Sequence, residues 1–262
     1  MNKSITTFDG KFWSQQEITE QMRDDSFYYG YLGKNALSSS SCTDLLDSPL
    51  KYWRSLNGKS QYSDAFSIGS LVHYKILEPE KFNEMNFINI KGKASKIYKD
   101  AVSEYGPENT FTIHEKYQAE DLSDVFLNNS ICTSMLHDAV YEEPMIGEIQ
   151  GVPFRGKADI LGKDYILDIK TTGKDVRSFK YSADKFNYDV QCYIYTTLFD
   201  ISYQDFMFAV IDKTSKCLGL FRCSRDFYNR GREKTMEAIQ IYRDYFIDKK
   251  KPLEEFCLHD VL

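Results

Sequence analysis

Three charged residues within residues 156–172, GKADILGKDYILDIKTT, have types and spacing suited to metal-dependent hydrolysis. Two apolar runs flank the Gly-Lys-Asp cluster at 162–164, which predicts a β-hairpin. A symmetric hairpin about this turn places Asp159 opposite Asp168. Because side chains alternate along a strand, Lys170 points the same way as Asp168. The hairpin therefore predicts two carboxylates and one ammonium group in a single patch.

Two directly opposed carboxylates repel each other unless a cation lies between them. Hard oxygen ligands suit Mg²⁺ and also Mn²⁺. A bound divalent ion and a nearby ammonium group can together offset the charge that develops during phosphodiester hydrolysis. The hairpin is thus a candidate magnesium site, but the pattern is short and made of common residues, so the rest of the chain must support the interpretation.

Composition limits the class of protein. With 262 residues, of which 42% are hydrophobic, the chain can bury a large core, and we expect one domain over residues 37–262 after an N-terminal arm, residues 1–36, of unknown order. No apolar run is long enough to span a membrane and no secretory signal is visible, which predicts a cytoplasmic protein. The six scattered cysteines indicate free thiols. A net charge of -6 argues against nonspecific coating of nucleic acid and leaves room for a narrow basic channel.

Hydrophobic periodicity and turn residues predict an α/β fold with a central mixed sheet flanked by helices. The apolar spacing predicts a helix from about Ala65 to Leu77, with His73 in its middle. A further helix is expected from Thr112 to about Ala139, before the strands begin. The later elements are expected to be a three-stranded meander over 144–172, a helix over 178–199, a hairpin over 206–224 and a terminal helix capped by Ser224.

Four segments resemble the PD-(D/E)XK nuclease core, in particular its RecE-type (exonuclease VIII) and RecB-like branch. They are SSSSCTDLLDSPLKY at 38–52, GSLVHYKILEPE at 69–80, ADILGKDYILDIKTT at 158–172 and QCYIY at 191–195. The second segment is the most specific, since it combines a small-residue helix, a histidine and a Leu-Glu-Pro ending in the right order before the core. The resemblance implies the restriction-endonuclease-like fold.

The resemblance also implies roles for individual residues. His73, Asp159, Asp168 and the backbone carbonyl of Ile169 correspond to ligands of one or two Mg²⁺ ions, with Mn²⁺ as an alternative. Lys170 corresponds to the catalytic lysine. The sequence departs from the family pattern in having Lys-Ala-Asp instead of Pro-Asp before the first carboxylate. It also has Asp168 where a glutamate is usual, which shortens one ligand.

Three more residues are weaker candidates. Gln191 and Tyr195 match the helix motif of the RecB-like branch, and four residues apart they share one helical face, which predicts a role in DNA positioning or support. Glu143, before the first strand of the meander, is either a further acidic contributor or a plain surface carboxylate.

The resemblance implies an exodeoxyribonuclease that degrades linear double-stranded DNA from its ends, 5′ to 3′, leaving 3′ single-stranded tails for recombination in a bacterium or a phage-infected host. It further implies a homo-oligomeric ring around the duplex and a single-strand annealing recombinase as partner. The residues expected to line the channel are basic: Lys91, Lys93, Lys96, Lys174, Arg177, Lys180 and Lys185.

Other functions remain open from the sequence. One is an iron-sulfur nuclease of the CRISPR-adaptation type, which shares the core but adds four clustered cysteines; the absence of a Cys-x-x-Cys pattern argues against it. A second is a non-catalytic DNA-end-binding relative, against which the complete His, Asp, Asp, Lys set argues. A third is a small-molecule metal hydrolase on an unrelated α/β fold.

Overall fold

The computed structural model describes residues 4–58, 64–90 and 92–257. The segment that precedes the family-like region is folded. Its elements are β1 (Ser4–Thr6), β2 (Phe12–Ser14), α1 (Gln15–Gln21), a π-helical segment (Ser26–Tyr31) and α2 (Leu32–Asn35). Buried side chains of this N-terminal unit, Trp13, Ile18 and Leu32 among them, form a cluster with Ile146 of the central sheet. The predicted arm is therefore a small packed unit.

The packing of the N-terminal unit is testable by shortening Leu32, which is fully buried. We expect Leu32→Ala to lower the free energy of unfolding by about 2 to 5 kcal/mol, as for other fully buried leucines. The measurement is urea denaturation. Lys34→Ala, on the exposed side of the same helix, is the control and is expected to change stability by less than about 0.5 kcal/mol. Equal, negligible effects would mean that the unit does not unfold together with the domain.

A helical region follows the N-terminal unit. Its elements are α3 (Ser39–Asp47), α4 (Pro49–Asn57), α5 (Asp64–Leu77), α6 (Pro79–Glu84), β3 (Asn86–Ile88), α7 (Lys96–Tyr105), a 3₁₀ turn (Pro107–Asn109), β4 (Thr110–Thr112), α8 (Ile113–Leu127) and α9 (Ser130–Ser134). The short strands β3 and β4 pair in parallel.

Capping residues explain where these helices begin. The Ser38 and Ser48 hydroxyls accept hydrogen bonds from backbone N–H groups in the first turns of α3 and α4. Thr112 and Glu115 form a reciprocal capping box at the start of α8. The helix expected up to about Ala139 is instead divided, because the Asn129 side chain accepts two backbone N–H bonds and starts α9.

The central sheet has five strands in chain order. They are β5 (Val140–Ile149), β6 (Val152–Leu161), β7 (Ile166–Thr172), β8 (Phe206–Asp212) and β9 (Leu218–Arg222). Only β7 and β8 are parallel, so their connection must cross one face of the sheet. The predicted mixed sheet flanked by helices is confirmed.

The crossover from β7 to β8 contains a 3₁₀ turn (Val176–Ser178), α10 (Phe179–Lys185), α11 (Tyr188–Phe199) and a second 3₁₀ turn (Tyr203–Asp205). After β9 come α12 (Arg225–Tyr242), a π-helical turn (Arg243–Ile247) and a 3₁₀ turn (Leu253–Glu255). No helix within the described ranges is both long enough and apolar enough to cross a bilayer.

Two hydrophobic clusters lie on opposite faces of this sheet. On one face α3, α11 and α12 pack against alternate strand residues that include Ile166, Phe208 and Val210. On the other face α5 and α8 pack against Leu167, Ile169 and Ile211. Because β7 is covered on both faces, its polar residues Asp168 and Lys170 are enclosed between the sheet and α11.

Strands β6 and β7 diverge soon after the hairpin turn. Their ladder consists of the pairs Ile160–Leu167 and Leu161–Ile166. Further along β6, Leu37 takes the place of β7: its N–H donates to the Pro153 carbonyl at 2.9 Å, and its carbonyl accepts from the Arg155 N–H at 2.8 Å. The divergence leaves a fork in the sheet between residues 156–159 and β7, and the predicted carboxylates lie in that fork.

Candidate active site

The hairpin register places Asp159 opposite Asp168, as the sequence predicts, but the backbone ladder ends one pair earlier. The Asp159 side chain explains this, since its Oδ2 atom accepts the Ile169 N–H at 2.7 Å. The Asp159 carboxylate thus takes the place of a backbone carbonyl as the hydrogen-bond acceptor, and it holds the two strands together at the base of the fork.

Helix α5 brings His73 to the same point. His73 Nε2 donates to the Ile169 carbonyl oxygen at 2.8 Å, while Nδ1 lies 3.6 Å from Asp159 Oδ2. This hydrogen bond fixes the ring and directs the Nδ1 lone pair toward the carboxylate, as in many metal-ligating histidines. The Ile169 carbonyl, expected to be a metal ligand, therefore orients His73 in this structure.

The close approach of α5 depends on a glycine. A Cβ atom built at Gly69 would lie 3.2 Å from the Thr171 Oγ1 atom of β7, which is a tight contact. The small residue that opens the GSLVHYKILEPE motif therefore allows α5 to sit against β7, one helical turn before His73.

Asp168 and Lys170 form a buried pair on the α11 face. Lys170 Nζ lies 2.5 Å from Asp168 Oδ2, and Gln191 Nε2 donates to Asp168 Oδ1. Burial raises the pKa of Asp168 to about 6, against the opposing effect of Lys170. Burial alone lowers the pKa of Lys170, but the Asp168 and Asp159 carboxylates raise this pKa above its ordinary value. Lys170 is therefore a fixed ammonium group with two carboxylates beside it.

Glu142 is a site residue that the sequence did not single out. One potential ligand atom from each of His73, Glu142 and Asp159 lies within 4.8 Å of the others. Burial, reinforced by the nearby Asp159 carboxylate, raises the pKa of Glu142 to about 8. This shift shows that a second negative charge is costly here, and a bound cation would remove the cost. An imidazole nitrogen with two carboxylate oxygens is a donor set that suits a divalent ion such as Mn²⁺ or Mg²⁺.

Glu143 lies elsewhere. Its carboxylate pairs with Arg23 of the N-terminal unit at 3.0 Å. The preceding residue, Glu142, has a left-handed backbone with φ of 50°, which interrupts the regular alternation of β5. The candidate contributor named from the sequence is thus replaced by its neighbour, because the β5–β6 register pairs Tyr141 with Ile160 and Glu143 with Ala158 and so places Glu142 opposite Asp159.

Gln191 and Tyr195 lie one turn apart on α11, and both face the fork. Gln191 holds Asp168, whereas the Tyr195 hydroxyl accepts the backbone N–H of Lys157 at 3.4 Å. Burial raises the pKa of Tyr195 well above its ordinary value, so the hydroxyl stays protonated. The Tyr195 ring also covers Gly156, where a Cβ atom would lie 3.0 Å from Cε1. Of the two predicted roles, these contacts are those of support, because they fix β6 and β7 from one helix face.

Comparison with known families agrees with this architecture. The model of the family described as "PDDEXK-like domain of unknown function (DUF3799)" matches residues 38–257, which is most of the chain. The chain belongs to this PDDEXK-like family. Its five-stranded mixed sheet flanked by helices is the PD-(D/E)XK fold that the motifs predict.

One solved structure gives a consistent result for the fold. A crystal structure from Eubacterium rectale, described as a "putative exonuclease", superposes with a TM-score of 0.63 at 14% identity, covering 91% of this chain and 95% of that one. The structure of SSO0001 matches 77% of this chain and 82% of its own at 14% identity, and its TM-score of 0.31 supports no argument. No curated protein matches the sequence.

The basic residues expected along a channel fall into two groups on this PDDEXK-like domain. Lys91 lies outside the described residues. Lys93 pairs with Glu115 at 2.8 Å and Lys96 is exposed at the start of α7. The second group follows β7 directly and consists of the exposed residues Lys174, Arg177, Lys180 and Lys185.

The cysteines do not assemble with the metal-binding residues. Among the residues that the structure describes, the one group of three or more potential ligand side chains is His73, Glu142 and Asp159. Cys42, Cys132, Cys192 and Cys223 are buried, and Cys217 and Cys257 are exposed. The arrangement gives no support to an iron-sulfur cluster.

Proposed function

We propose that this protein is a metal-dependent deoxyribonuclease that hydrolyses phosphodiester bonds at the fork between β6 and β7. The observation that carries the proposal is the group of His73, Glu142 and Asp159 beside the buried Asp168–Lys170 pair. The combination of one divalent-ion site and one fixed ammonium group matches the needs of phosphodiester hydrolysis. Membership in the PDDEXK-like family supports the same conclusion.

The protein's own residues have separable roles in this chemistry. A divalent ion held by His73, Glu142 and Asp159 would supply charge neutralisation and a water molecule of lowered pKa. Lys170 holds its proton, so it serves as an ammonium group that donates to a phosphoryl oxygen or positions the attacking water and does not act as a general base. Asp168 fixes that ammonium group, and Gln191 fixes Asp168.

The substrate and product are also part of the proposal. We infer that the enzyme is a Mg²⁺-dependent exonuclease on linear double-stranded DNA, working 5′ to 3′ and leaving 3′ tails for recombination. The support is the RecE-like order of the four motifs, together with a fold shared with the Eubacterium rectale protein. A homo-oligomeric ring and a single-strand annealing recombinase as partner are inferred from the same resemblance.

The proposal is tested by digestion of linear and closed-circular duplex DNA with Mg²⁺, with EDTA, and with separately labelled 5′ and 3′ ends. We expect loss of the linear DNA alone, dependent on metal, with release of 5′ label first. Lys170→Ala is expected to reduce the rate about 100-fold or more, the usual effect of removing one preorganised donor. Lys163→Ala, in the exposed turn of the same hairpin, is the matched control and should keep full activity.

Other results would identify other functions. Nicking of closed circles would make the protein an endonuclease, and release of 3′ label first would reverse the polarity. Binding of DNA ends without cleavage in Mg²⁺ or Mn²⁺ would support the non-catalytic relative and refute the proposed activity.

A further inference from the structure

Helix α10 presents two large aromatic rings to solvent. Tyr181 is 66% exposed and Phe186, directly after the helix, is 50% exposed. Both residues follow β7 in the chain and lie in the segment between β7 and α11. Single exposed rings are common on protein surfaces, so the neighbours of these two rings decide whether they have a function.

A continuous row of contacts joins this surface to the candidate active site. Lys170 Nζ lies 4.9 Å from the centre of the Tyr188 ring, and the Tyr188 and Phe186 ring centres are 5.9 Å apart. Tyr188 is held from behind by Phe179 and Phe208, at 5.8 Å and 5.6 Å. The Phe186 ring therefore continues, at the surface, the row of aromatic rings against which the Lys170 side chain lies.

The charge around these rings suits a polyanion. Lys180 Nζ lies 4.9 Å from the Tyr181 ring centre, and Lys185 Nζ lies 5.6 Å from that of Phe186. The nearby acidic residues are neutralised locally, Asp175 by Arg177 and Asp184 by Arg230. Lys174, Lys180 and Lys185 form no ion pair with any residue in the described ranges, which leaves net positive charge beside both rings.

We propose that Phe186 and Tyr181 are two separate stacking positions for unpaired bases of a single-stranded DNA segment beside the active site, with Lys180 and Lys185 contacting its phosphates. The proposal rests on the nuclease function above and adds a subsite to it. Bases in a duplex are already stacked, so an exposed ring can take up only an unpaired base. Lysines next to aromatic rings are the combination that binds single-stranded nucleic acid, and the row through Tyr188 connects Phe186 to Lys170.

The test measures affinity without turnover. The full chain is titrated against fluorescein-labelled oligothymidylate in EDTA, with fluorescence anisotropy as the readout. Phe186→Ala and Tyr181→Ala are each expected to weaken binding about 5- to 150-fold, the range for loss of one base–aromatic stack. Phe186→Trp is expected to retain affinity, whereas Phe186→Leu, which stays apolar but cannot stack, is expected to lose it.

Tyr117→Ala is the matched control, since Tyr117 is 58% exposed on α8, a different helix. It is expected to leave affinity unchanged. Equal binding by wild type, Phe186→Ala and Tyr181→Ala would overturn the proposal, as would a Phe186→Leu variant that binds like wild type. A change in oligomeric state on size-exclusion chromatography with unchanged oligonucleotide affinity would identify a protein contact and also overturn it. Failure of the nuclease proposal is seen separately, as a lack of cleavage by wild type in Mg²⁺.

Discussion

Replacing Glu142 by alanine is expected to reduce metal-dependent cleavage about 100-fold or more, whereas the same change at Glu143 leaves the rate within about twofold. The reason is geometric, since Glu142 shares the 4.8 Å group with His73 and Asp159, and Glu143 pairs with Arg23. Even residues one shell away from a metal typically contribute 10- to 100-fold to affinity or activity, so loss of a ligand should cost at least as much.

Stability measurements separate the metal role of Glu142 from a structural one. In EDTA, Glu142→Gln replaces a carboxyl group whose charged form the fork disfavours, because burial and Asp159 raise its pKa to about 8. The variant should therefore melt no lower than wild type in EDTA, yet lose the rise in Tm that Mg²⁺ or Mn²⁺ gives wild type. Glu143→Gln should keep that rise and cost at most about 1 kcal/mol, because the Arg23 side chain of this pair is half-exposed and water screens the interaction.

Two outcomes would contradict the assignment. If Glu143→Ala loses activity as Glu142→Ala does, the position opposite Asp159 does not distinguish the two glutamates. If Glu142→Gln retains both the metal-induced rise in Tm and full cleavage, the ion is held by other groups.

The hairpin shows how much of the site local rules determine. Turn residues at 162–164 and strict alternation were enough to predict the register of Asp159 with Asp168, and the side of Lys170, because both depend only on neighbouring residues. Identification of His73 required the family motif, since a lone histidine on an apolar helix has no distinctive local pattern. The helix itself was predicted to within one residue at its start, and its end at Leu77 was confirmed.

Glu142 could not be predicted in the same way. Two consecutive glutamates at the start of a strand point to opposite faces, and which one meets Asp159 depends on the register of β5 with β6. That register follows from the two-residue turn at Gln150 and Gly151, which lies eight residues after Glu142 and lacks the Asn-Gly or Asp-Gly signal of common hairpins. The interaction of Glu142 with Asp159 and His73 is long-range in sequence, so only the assembled sheet and α5 define it.

The N-terminal unit escaped prediction for a related reason. Its elements are too short to show a clear hydrophobic period, and its buried residues complete their cluster only against Ile146 of the edge strand β5. Tertiary contact therefore gives the segment its order. Arg23 and Asp25 of this unit pair with Glu143 and Lys157, which places the unit beside the fork as well as against the edge of the sheet.

Gly231→Ala is expected to be the most destabilising single-methyl addition in the described chain. A Cβ atom at this position in α12 would lie 1.9 Å from the Asp189 carbonyl oxygen and 2.4 Å from its carbon. The obstacle is backbone, so it cannot be relieved by rotating a side chain. Overpacking of this kind costs about 3 kcal/mol or more, and the better helix propensity of alanine returns about 1 kcal/mol. The net loss of about 2 kcal/mol corresponds to a fall in Tm of about 4 to 8 °C.

The effect should extend to catalysis, because Gly231 fixes the start of α11. The Lys234 Nζ atom of α12 lies 2.8 Å from Oδ2 of the fully buried Asp189. Gln191 follows Asp189 by two residues on α11. Pushing the helices apart shifts Gln191 from Asp168, so we expect slower cleavage by the folded variant at 25 °C as well as a lower Tm. Gly30→Ala is the control, since a Cβ there meets nothing within 4 Å. A Gly231→Ala protein that melts higher than wild type would show that helix propensity outweighs the contact, and that α11 and α12 can separate without cost.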